Sequence, residues 1–364
     1  NCEVTVLAAS SDIKSNYSIN YSDGIQIIYL KTAKTKDINY VRRFFAELYM
    51  PFAMIKNLKK TKFSKYKWDY LIWYSPTIFH GPLVSYIKKL NNIKSYLIIR
   101  DIFPEWALDL GLIKKGLIYN FLKMVSNYQY SLADIIGIQS PGNEVYFRDW
   151  LTKYPERKIE LLNNWLGEKS AKHGSINIKD TSLSGRKIFV YTGNIGIAQD
   201  MKILIELAKS FKHRDDIGFL FVGRGDNLKF IKKYVVENNL NNTLIFDSID
   251  PSEVPDLLSQ CHVGMLSLNV KHNSHNIPGK FLSYIQAGLP IIASVNPGND
   301  LVKLINENMV GEVIINRSLN DLVKKTEKLL INFDSDNQIS KKSVDLYKKL
   351  FSSMSAVNTI KKHI

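Results

Sequence analysis

The chain has 364 residues, which is more than one ordinary core accommodates and predicts two domains. Hydrophobic residues make up 45% of the sequence and charged residues 23%, a balance that excludes a disordered or fibrous protein. The two cysteines, Cys2 and Cys261, are too few for a disulfide framework or a cysteine-based metal cluster. A formal charge of +15 favours anionic partners such as phosphates, nucleic acid or an acidic membrane surface.

The first half of the chain alternates between strand-like and helical patterns. Strands are predicted at Glu3–Ala8, Ile25–Leu30, Tyr70–Trp73, Ser95–Ile99, Ile135–Gln139 and Ile159–Leu162. Helices are predicted at Asp37–Leu58, Leu83–Leu90, Leu117–Ser131 and Asn143–Leu151. This alternation is typical of a largely parallel α/β sheet, and we assign residues 1–166 to a first Rossmann-like domain.

A polar stretch separates this half from a second α/β series. We interpret residues 167–186 as an interdomain linker, residues 187–335 as a second Rossmann-like domain and residues 336–364 as a helical segment. The second domain has predicted strands at Ile188–Tyr191, Gly218–Val222, Thr243–Phe246, Val263–Leu268, Pro290–Ala293 and Gly311–Ile315. Its predicted helices include Met201–Phe211 and Leu228–Asn238. An apolar stripe predicts that the last segment docks on a domain.

Two glycine-containing turns follow strands of the second domain. The first is Gly193-Asn194-Ile195-Gly196, and the second contains Gly223, Arg224 and Gly225. Glycine permits close backbone approach, and the N-terminus of a following helix offers free N–H groups to a phosphate. Arg224 adds a planar cation suited to phosphate. The alternative interpretation of each segment is a tight turn with no ligand.

A third segment, Pro278-Gly279-Lys280, begins a predicted helix in the same domain. A cation in the first turn of a helix is unfavourable, and a bound anion would remove the conflict. The alternative is a solvated surface lysine. Three such segments after strands of one domain favour a ligand site, because α/β sheets bind ligands at the carboxyl ends of their strands.

These segments together resemble the retaining nucleotide-sugar glycosyltransferases with two Rossmann-like domains, the GT-B type. The chain is similar in particular to bacterial surface-polysaccharide transferases such as L-fucosaminyltransferase. In the second half the resemblance is carried by Tyr191–Gly196, Phe221–Gly225, Pro278–Lys280 and Gln286–Ile291. In the first half it is carried by Tyr74-Ser75-Pro76, Arg100–Trp106, Gly137–Pro141 and Asn163-Asn164-Trp165.

The resemblance implies two domains facing across a cleft, with a C-terminal helix packing back towards the first domain. It implies transfer of an amino sugar, N-acetyl-L-fucosamine, from a UDP-sugar to a polyprenyl-diphosphate-linked saccharide of O-antigen or capsule. The implied catalytic residues are Asp101, Arg224 and Lys280. The implied donor-binding residues are Gly193, Asn194, Ile195, Gly196, Gly223, Arg224, His275, Asn276, Pro278, Gly279, Lys280 and Ser283. The donor phosphate itself would accept the acceptor's proton, so no carboxylate nucleophile is needed. No cofactor or metal ion is expected, because Asp334-x-Asp336 lies in a polar stretch away from the strand-end turns and the three histidines His262, His272 and His275 lack the spacing of a metal site.

The sequence departs from the family pattern in two places. His275 and Ser283 stand where the wider family often has two glutamates, so the contacts of those glutamates with the donor must be replaced. The segment Cys2–Val6 resembles the second strand of the family's first domain. We therefore expect that one βα unit of the family pattern precedes it and is missing from this chain.

Candidate acceptor-binding residues follow strands of the first domain. They are His80, Arg100 and Asp101, of which Asp101 is the candidate for orienting the acceptor or handling its proton. The alternative for Asp101 is a cap or turn carboxylate, and for His80 a histidine at the start of a helix without a catalytic task.

The segment between Lys31 and Lys67 is basic and rich in aromatic residues. It is typical of a helix at an anionic membrane surface. Together with the lipid-linked acceptor of the transferases that the chain resembles, it implies a peripheral protein on the cytoplasmic face of the bacterial inner membrane. Packing of its aromatic face on the first domain is the alternative. Nucleic-acid binding is a competing function, disfavoured because no recognition module is visible, and a nucleotide-sugar epimerase of the same fold is a closer rival.

Overall fold

The computed structural model describes residues 2–75, 77–109, 111–168, 172–196, 199–269, 277–335 and 338–364. The chain divides into two compact units. The first unit comprises Asn1–Ile138 and Glu144–Leu161, and the second comprises Gln139–Asn143 and Leu162–Ile364. The short segment Gln139–Asn143 belongs to the second unit because the Ser140 hydroxyl and the Gly142 N–H both donate to the Asp300 carboxylate, at 2.5 and 2.8 Å.

The first unit begins with a three-stranded sheet of strands β1 (Thr5–Ser10), β2 (Tyr17–Ser22) and β3 (Ile25–Lys31). Its order is β1-β3-β2, with β1 parallel and β2 antiparallel to β3. The sequence analysis did not predict β2. The turn between β2 and β3 places Asp23 and Gly24 at φ of 50° and 76°, the left-handed region that Asp-Gly pairs favour in two-residue hairpins.

The remainder of the first unit is a four-stranded parallel sheet with helices. Its elements are α1 (Tyr40–Leu58), β4 (Tyr70–Ser75), α2 (Gly81–Asn91), β5 (Lys94–Ile99), α3 (Glu105–Asp109), α4 (Leu117–Ser131), β6 (Ile135–Ile138), α5 (Arg148–Lys153) and β7 (Lys158–Leu161). The strand order is β4-β5-β6-β7. The predicted helix at 143–151 is wrong in its first half, because a 3₁₀ turn over Pro141–Phe147 precedes α5.

One continuous parallel sheet forms the second unit. Its elements are β8 (Lys187–Asn194), α6 (Met201–Ser210), β9 (Ile217–Arg224), α7 (Leu228–Glu237), β10 (Thr243–Phe246), α8 (Val254–Ser259), β11 (Val263–Ser267), α9 (Gly279–Gln286), β12 (Ile291–Ser294), α10 (Asp300–Asn308), β13 (Gly311–Ile314), α11 (Leu319–Ser335), α12 (Gln338–Leu346) and α13 (Ser353–Lys361). The strand order is β10-β9-β8-β11-β12-β13. The order therefore reverses between β8 and β11, where α/β sheets of this kind open a crevice for ligands.

The predicted linker at 167–186 is wrong for its second half. Ile176, Ile178 and Leu183 are buried in the core of the second unit, together with side chains of β8 and β9. Leu183 packs so closely on Gly218 that a Cβ at this glycine would lie 3.1 Å from its Cδ2 atom. Three apolar side chains in a polar stretch were enough to anchor it, because they cover the end of the sheet.

The C-terminal segment also contributes to the core of the second unit. A π-helical turn at Tyr347–Phe351 joins α12 to α13, and Tyr347 and Phe351 are buried. The Tyr347 hydroxyl donates to the Leu166 carbonyl at 2.9 Å and accepts from Gln286 Nε2 at 2.8 Å. The predicted helical character of this segment is confirmed, whereas its packing towards the first unit stays a prediction.

Candidate functional site

The two predicted glycine turns form one structural element at the carboxyl ends of β8 and β9. Gly193 pairs with Gly223 and Asn194 with Arg224 in the parallel register. A Cβ on Gly223 would lie 1.8 Å from the Gly193 carbonyl oxygen, so no other residue fits there without moving a strand. The two turns are separate motifs in the sequence, and only the strand pairing shows that each requires the other.

Backbone hydrogen bonds hold the Gly193–Gly196 turn in place. The Ile195 N–H donates to the Arg224 carbonyl at 2.8 Å, and the Asn227 N–H donates to the Ile195 carbonyl at 3.0 Å. Asn227 Nδ2 also donates to the Gly196 carbonyl at 3.2 Å. The Ile195 side chain is fully buried and its backbone N–H and carbonyl are both engaged within the protein, so this predicted donor-binding residue supports the turn from the core.

Lys280 lies against this turn from the first turn of α9. Its ammonium donates to the Tyr191 hydroxyl at 2.8 Å and stands 4.5 Å from the centre of the same ring. A Cβ built on Gly193 would lie 3.9 Å from Lys280 Cε, which places the lysine beside the turn. Burial lowers the pKa of Lys280 to about 8. A nearby anion would reverse that shift, because it favours the charged form.

The start of α9 is itself suited to an anion. The helix begins at Gly279 after Pro278, which has extended backbone and provides no side-chain cap. The first N–H groups of the helix are therefore available to a ligand, with the positive end of the helix dipole behind them. A Cβ on Gly279 would have no atom within 4 Å, so the approach to this helix end is open on that side.

Two tyrosines that the sequence analysis did not single out fix α9 and the turn to β8. The Tyr191 hydroxyl donates to the Asn194 carbonyl at 2.5 Å. On α9, the buried Tyr284 hydroxyl accepts from the Thr192 N–H at 2.9 Å. Tyr284 fits because β11 has glycine at Gly264, where a Cβ would lie 2.4 Å from the ring. The signal in the sequence is a tyrosine inside an otherwise apolar strand or helix, whose hydroxyl needs a partner when buried.

An open pocket of about 300 Å³ lies at the same edge of the sheet. It adjoins the N-termini of α6 and α7, two further helix ends that follow glycine turns. Its lining residues are Gln199, Asp200, Met201, Lys202, Asn227, Phe230 and Asn269. This set could not be found from the sequence because its members come from three separate segments, which follow β8, β9 and β11.

Arg317 organises the wall of this pocket. It forms an ion pair with Asp200 at 2.5 Å and donates to the Leu268 carbonyl and to Asn296 Oδ1, the latter at 2.9 Å. Asn296 in turn donates to the Asn269 carbonyl at 2.9 Å. The positive charge of Arg317 offsets the negative charge of Asp200. Asp200 therefore repels an anion in the pocket less than an unpaired carboxylate would.

The other predicted donor-binding residues have simpler surroundings. Arg224 has an exposed side chain at the end of β9. The Ser283 hydroxyl donates to the Gly279 carbonyl within α9, at 3.4 Å. His275 and Asn276 lie outside the described residues. Among the residues that the structure describes, no group of three or more His, Cys, Asp or Glu side chains is arranged to hold a metal ion.

The candidate acceptor residues lie after two adjacent strands of the first unit. Ser75 at the end of β4 pairs with Ile99 at the end of β5, so the segments carrying His80 and Asp101 leave the same sheet edge. Asp101 is exposed and Arg100 is half-buried. Burial lowers the pKa of His80 to about 4 despite the opposing effect of Glu47, so His80 is neutral near neutral pH. The role of these residues in acceptor binding stays a prediction.

Sequence comparison identifies relatives of this chain. A family model described as "Glycosyl transferases group 1" matches residues 175–345, which lie in the second unit. A probable glycosyltransferase of Pseudomonas aeruginosa, WbjE, is 24% identical over 235 residues, covering 63% of this chain and 57% of WbjE. The putative colanic acid biosynthesis glycosyl transferase WcaI of Escherichia coli K12 is 25% identical over 217 residues, covering 55% of this chain and 51% of WcaI. The chain thus spans little more than half the length of these curated relatives.

Structure comparison extends the likeness to both units. Sucrose-phosphate synthase of Thermosynechococcus elongatus superposes with a TM-score of 0.69 at 14% identity, over 99% of this chain and 88% of the synthase. HepE of Anabaena, solved in complex with UDP-glucose, gives a TM-score of 0.62 at 11% identity, over 93% of this chain and 85% of HepE. The predicted fold class is confirmed. Residues 175–345 are thus similar in sequence to the group 1 glycosyl transferases, and nearly the whole chain has the GT-B fold of two Rossmann-like domains.

Proposed function

We propose that this protein is a retaining glycosyltransferase that takes a UDP-linked amino sugar as donor. The observation that carries the proposal is the convergence of the Gly193–Gly196 turn, the start of α9 and the Lys280 ammonium at one edge of the second unit's sheet. This combination of a helix N-terminus with available N–H groups and a desolvated cation beside it suits a diphosphate.

The second unit would hold the donor diphosphate in this proposal. As the bond from the anomeric carbon to the phosphate oxygen breaks, negative charge develops on the departing UDP. Lys280 and the first N–H groups of α9 are already in place to stabilise that charge, because Tyr191 holds the lysine and Tyr284 holds α9 against β8. Stabilisation by preorganised donors needs little rearrangement during the reaction.

The first unit would bind the acceptor in this proposal. The acceptor hydroxyl attacks the anomeric carbon on the face that UDP leaves, its proton passes to the departing phosphate oxygen, and the sugar keeps its anomeric configuration. Asp101 and Arg100 would orient the acceptor rather than form a covalent intermediate. His80, being neutral and partly buried, is suited to a hydrogen bond rather than to pairing with a phosphate.

The choice of UDP is supported by HepE, which has the same fold and was solved with UDP-glucose. Polysaccharide synthesis is supported by the name of WcaI, a putative colanic acid transferase. We further propose N-acetyl-L-fucosamine as the sugar and a polyprenyl-diphosphate-linked saccharide of O-antigen or capsule as the acceptor. Both rest on the resemblance of the motifs, as does a position on the cytoplasmic face of the inner membrane.

Calorimetric titration with UDP, GDP and ADP, each with and without EDTA, tests the donor site. We expect saturable UDP binding that survives EDTA and weakens at least about tenfold in Lys280→Ala, as expected when a charged hydrogen bond is lost. Lys233→Ala on α7 is the matched control, because this exposed lysine pairs only weakly with Glu237, at 3.5 Å. Equal UDP affinity in wild type and Lys280→Ala would contradict the proposed site.

A second assay separates transfer from epimerisation. With a UDP-sugar and a lipid-linked acceptor, we expect UDP release that depends on the acceptor and a product with the donor's anomeric configuration by NMR. Conversion of the UDP-sugar into its epimer without any acceptor would replace the transferase proposal by the epimerase alternative.

A further inference from the structure

Two helices of the first unit expose apolar side chains that their own core does not use. On α1, Met50, Met54 and Leu58 are buried, yet Val41, Phe45, Tyr49 and Phe52 form a second stripe on its outer side. Phe45 and Phe52 are 53% and 54% exposed. A helix that only covers a sheet has a polar outer side, so core packing does not explain this stripe.

The outer side of α4 has the same character. Leu122 is buried, whereas Leu117, Ile118, Phe121 and Met124 are exposed, with Leu117 at 89% and Ile118 at 71%. These positions recur at helical spacing along one face, which makes the exposure a property of the helix rather than of single residues.

The two stripes adjoin each other. The rings of Phe44 on α1 and Phe121 on α4 have centroids 6.5 Å apart, and Phe44 packs with Leu122 beside the turn at Ile78–His80. We name the combined face the α1–α4 surface. It is defined by Val41, Phe45, Tyr49, Phe52, Leu117, Ile118, Phe121 and Met124. A contiguous exposed apolar face of this kind marks an interaction site.

The charged residues around this surface are mainly basic, although Lys123 forms an ion pair with Glu105. The basic residues on α1 and on residues 112–131 are Arg42, Arg43, Lys56, Lys114, Lys115 and Lys123. The acidic residue on the same two stretches is Glu47, which Arg43 pairs at 2.7 Å and the Thr77 hydroxyl contacts at 2.7 Å. Lys114 and Lys115 are exposed and directly precede the most exposed apolar residues of α4.

We infer that the α1–α4 surface docks on an anionic lipid bilayer, with its apolar side chains in the interfacial layer and its lysines and arginines at the headgroups. Aromatic and aliphatic side chains partition into that layer, and basic residues gain from the negative surface potential. A second copy of this chain fits less well, because self-association would bring two basic rims together. No helix among the described residues is long and apolar enough to cross a membrane.

This inference gives the proposed function a partner for the first unit, and its test is independent of sugar transfer. The protein is floated with vesicles of phosphatidylcholine alone or mixed with phosphatidylglycerol, at low and high salt. We expect binding to the mixed vesicles that weakens with salt. Phe45→Ser with Phe121→Ser should lower the partition coefficient at least about tenfold, because both rings leave the apolar layer.

Two further variants keep the test sharp if the double aromatic variant fails to fold. Lys114→Gln with Lys115→Gln leaves the apolar core untouched and should weaken binding about fivefold for each lysine, since each contributes through the surface potential. Val236→Ser is the matched control, because Val236 is 75% exposed on α7 of the second unit. UDP titration of every variant reports whether the second unit remains folded.

Three results would overturn the inference. They are equal flotation with neutral and anionic vesicles, unchanged flotation of both variant pairs, and a wild-type dimer in sedimentation that the aromatic pair dissociates without lipid. If the wild type did not bind UDP, the proposed donor site would be contradicted, but the conclusion from the vesicle experiment would not change.

Discussion

The two units have similar elements but place their unusual residues differently. In the second unit one parallel sheet of six strands brings its polar and glycine-containing loops to a single edge, where Lys280, Gly193 and Gly223 meet. In the first unit the strands form two sheets, and the conspicuous features lie on the outer sides of two helices.

The two arrangements suit different kinds of ligand. A continuous parallel sheet with a reversal of strand order forms a ligand crevice from loops that are far apart in sequence. A helix on the outside of a sheet presents one face to the core and leaves the other to solvent or to a partner. Small-molecule chemistry is therefore expected in the second unit, and attachment to a larger surface in the first.

The largest loss of stability is expected from a substitution at a glycine of the second unit's site. Gly223→Ala should lower the free energy of unfolding by about 3 kcal/mol or more, because the new Cβ overlaps the Gly193 carbonyl and forces β8 and β9 apart. Thermal or urea denaturation measures this loss, and UDP binding should fall with it. Gly167→Ala is the control, since a Cβ there has no atom within 4 Å. Equal stability of the two variants would contradict the close approach.

The protonation of His80 in the first unit should make the free energy of unfolding depend on pH in mildly acidic solution. Burial lowers the pKa of His80 to about 4, so between that pH and its unfolded pKa near 6.5 the unfolded chain binds the extra proton. Stability contributed by neutral His80 is thus present above the unfolded pKa and is lost as the pH falls. In the wild type, the free energy of unfolding should fall as the pH is lowered from about 6.5 to about 4.5. We expect this fall to be smaller by roughly 2 kcal/mol in His80→Gln, measured by urea denaturation. His213→Gln, at an exposed position, should leave the slope unchanged.

The affinity for UDP should follow the protonation of Lys280. Because the pKa of Lys280 is lowered to about 8, its charge and the binding of a diphosphate should decline together as the pH rises through that value. Calorimetry should show about tenfold weaker binding at about pH 9 than at about pH 7. Lys280→Arg, which stays charged, should flatten this profile. A wild-type affinity that does not change over this range would remove Lys280 from the site.

The smallest expected effect concerns the tyrosine that holds the lysine. Tyr191→Phe removes the acceptor for Lys280 and the donor to the Asn194 carbonyl, so the turn is held less firmly. We expect UDP affinity to fall about fivefold, the equivalent of about 1 kcal/mol for lost hydrogen bonds. Tyr234→Phe on α7 is the matched control. A larger loss in the control than in Tyr191→Phe would assign the effect to general destabilisation.

Much of the fold could be predicted because its strands are continuous apolar runs. The predicted strands of the second domain agree with β8 to β13 within a few residues, since both sheet faces there are covered by helices. Strand β2 escaped prediction because its sequence Tyr17–Ser22 mixes polar and apolar residues, although the Asp23-Gly24 pair signals the hairpin. The linker prediction failed because composition alone does not reveal that Ile176, Ile178 and Leu183 share one core.

Individual residues of the candidate site could be predicted from the sequence, but their arrangement in space could not. A lysine at the start of a helix and glycines after strands are visible in the sequence, because each conflicts with local preference unless something else resolves it. Arg317 and Tyr191 carry no such conflict, and their importance comes only from the partners they meet.

The alternation of strands and helices, the turns that need glycine, and the excess of basic residues between Lys31 and Lys67 can all be read from the sequence. That Gly193, Gly223 and Lys280 share one edge of a sheet, and that the stripes of α1 and α4 adjoin, emerges only from the folded chain. The reason is physical: patterns of polarity and backbone freedom are local, whereas strand register and helix packing join residues that are distant along the chain.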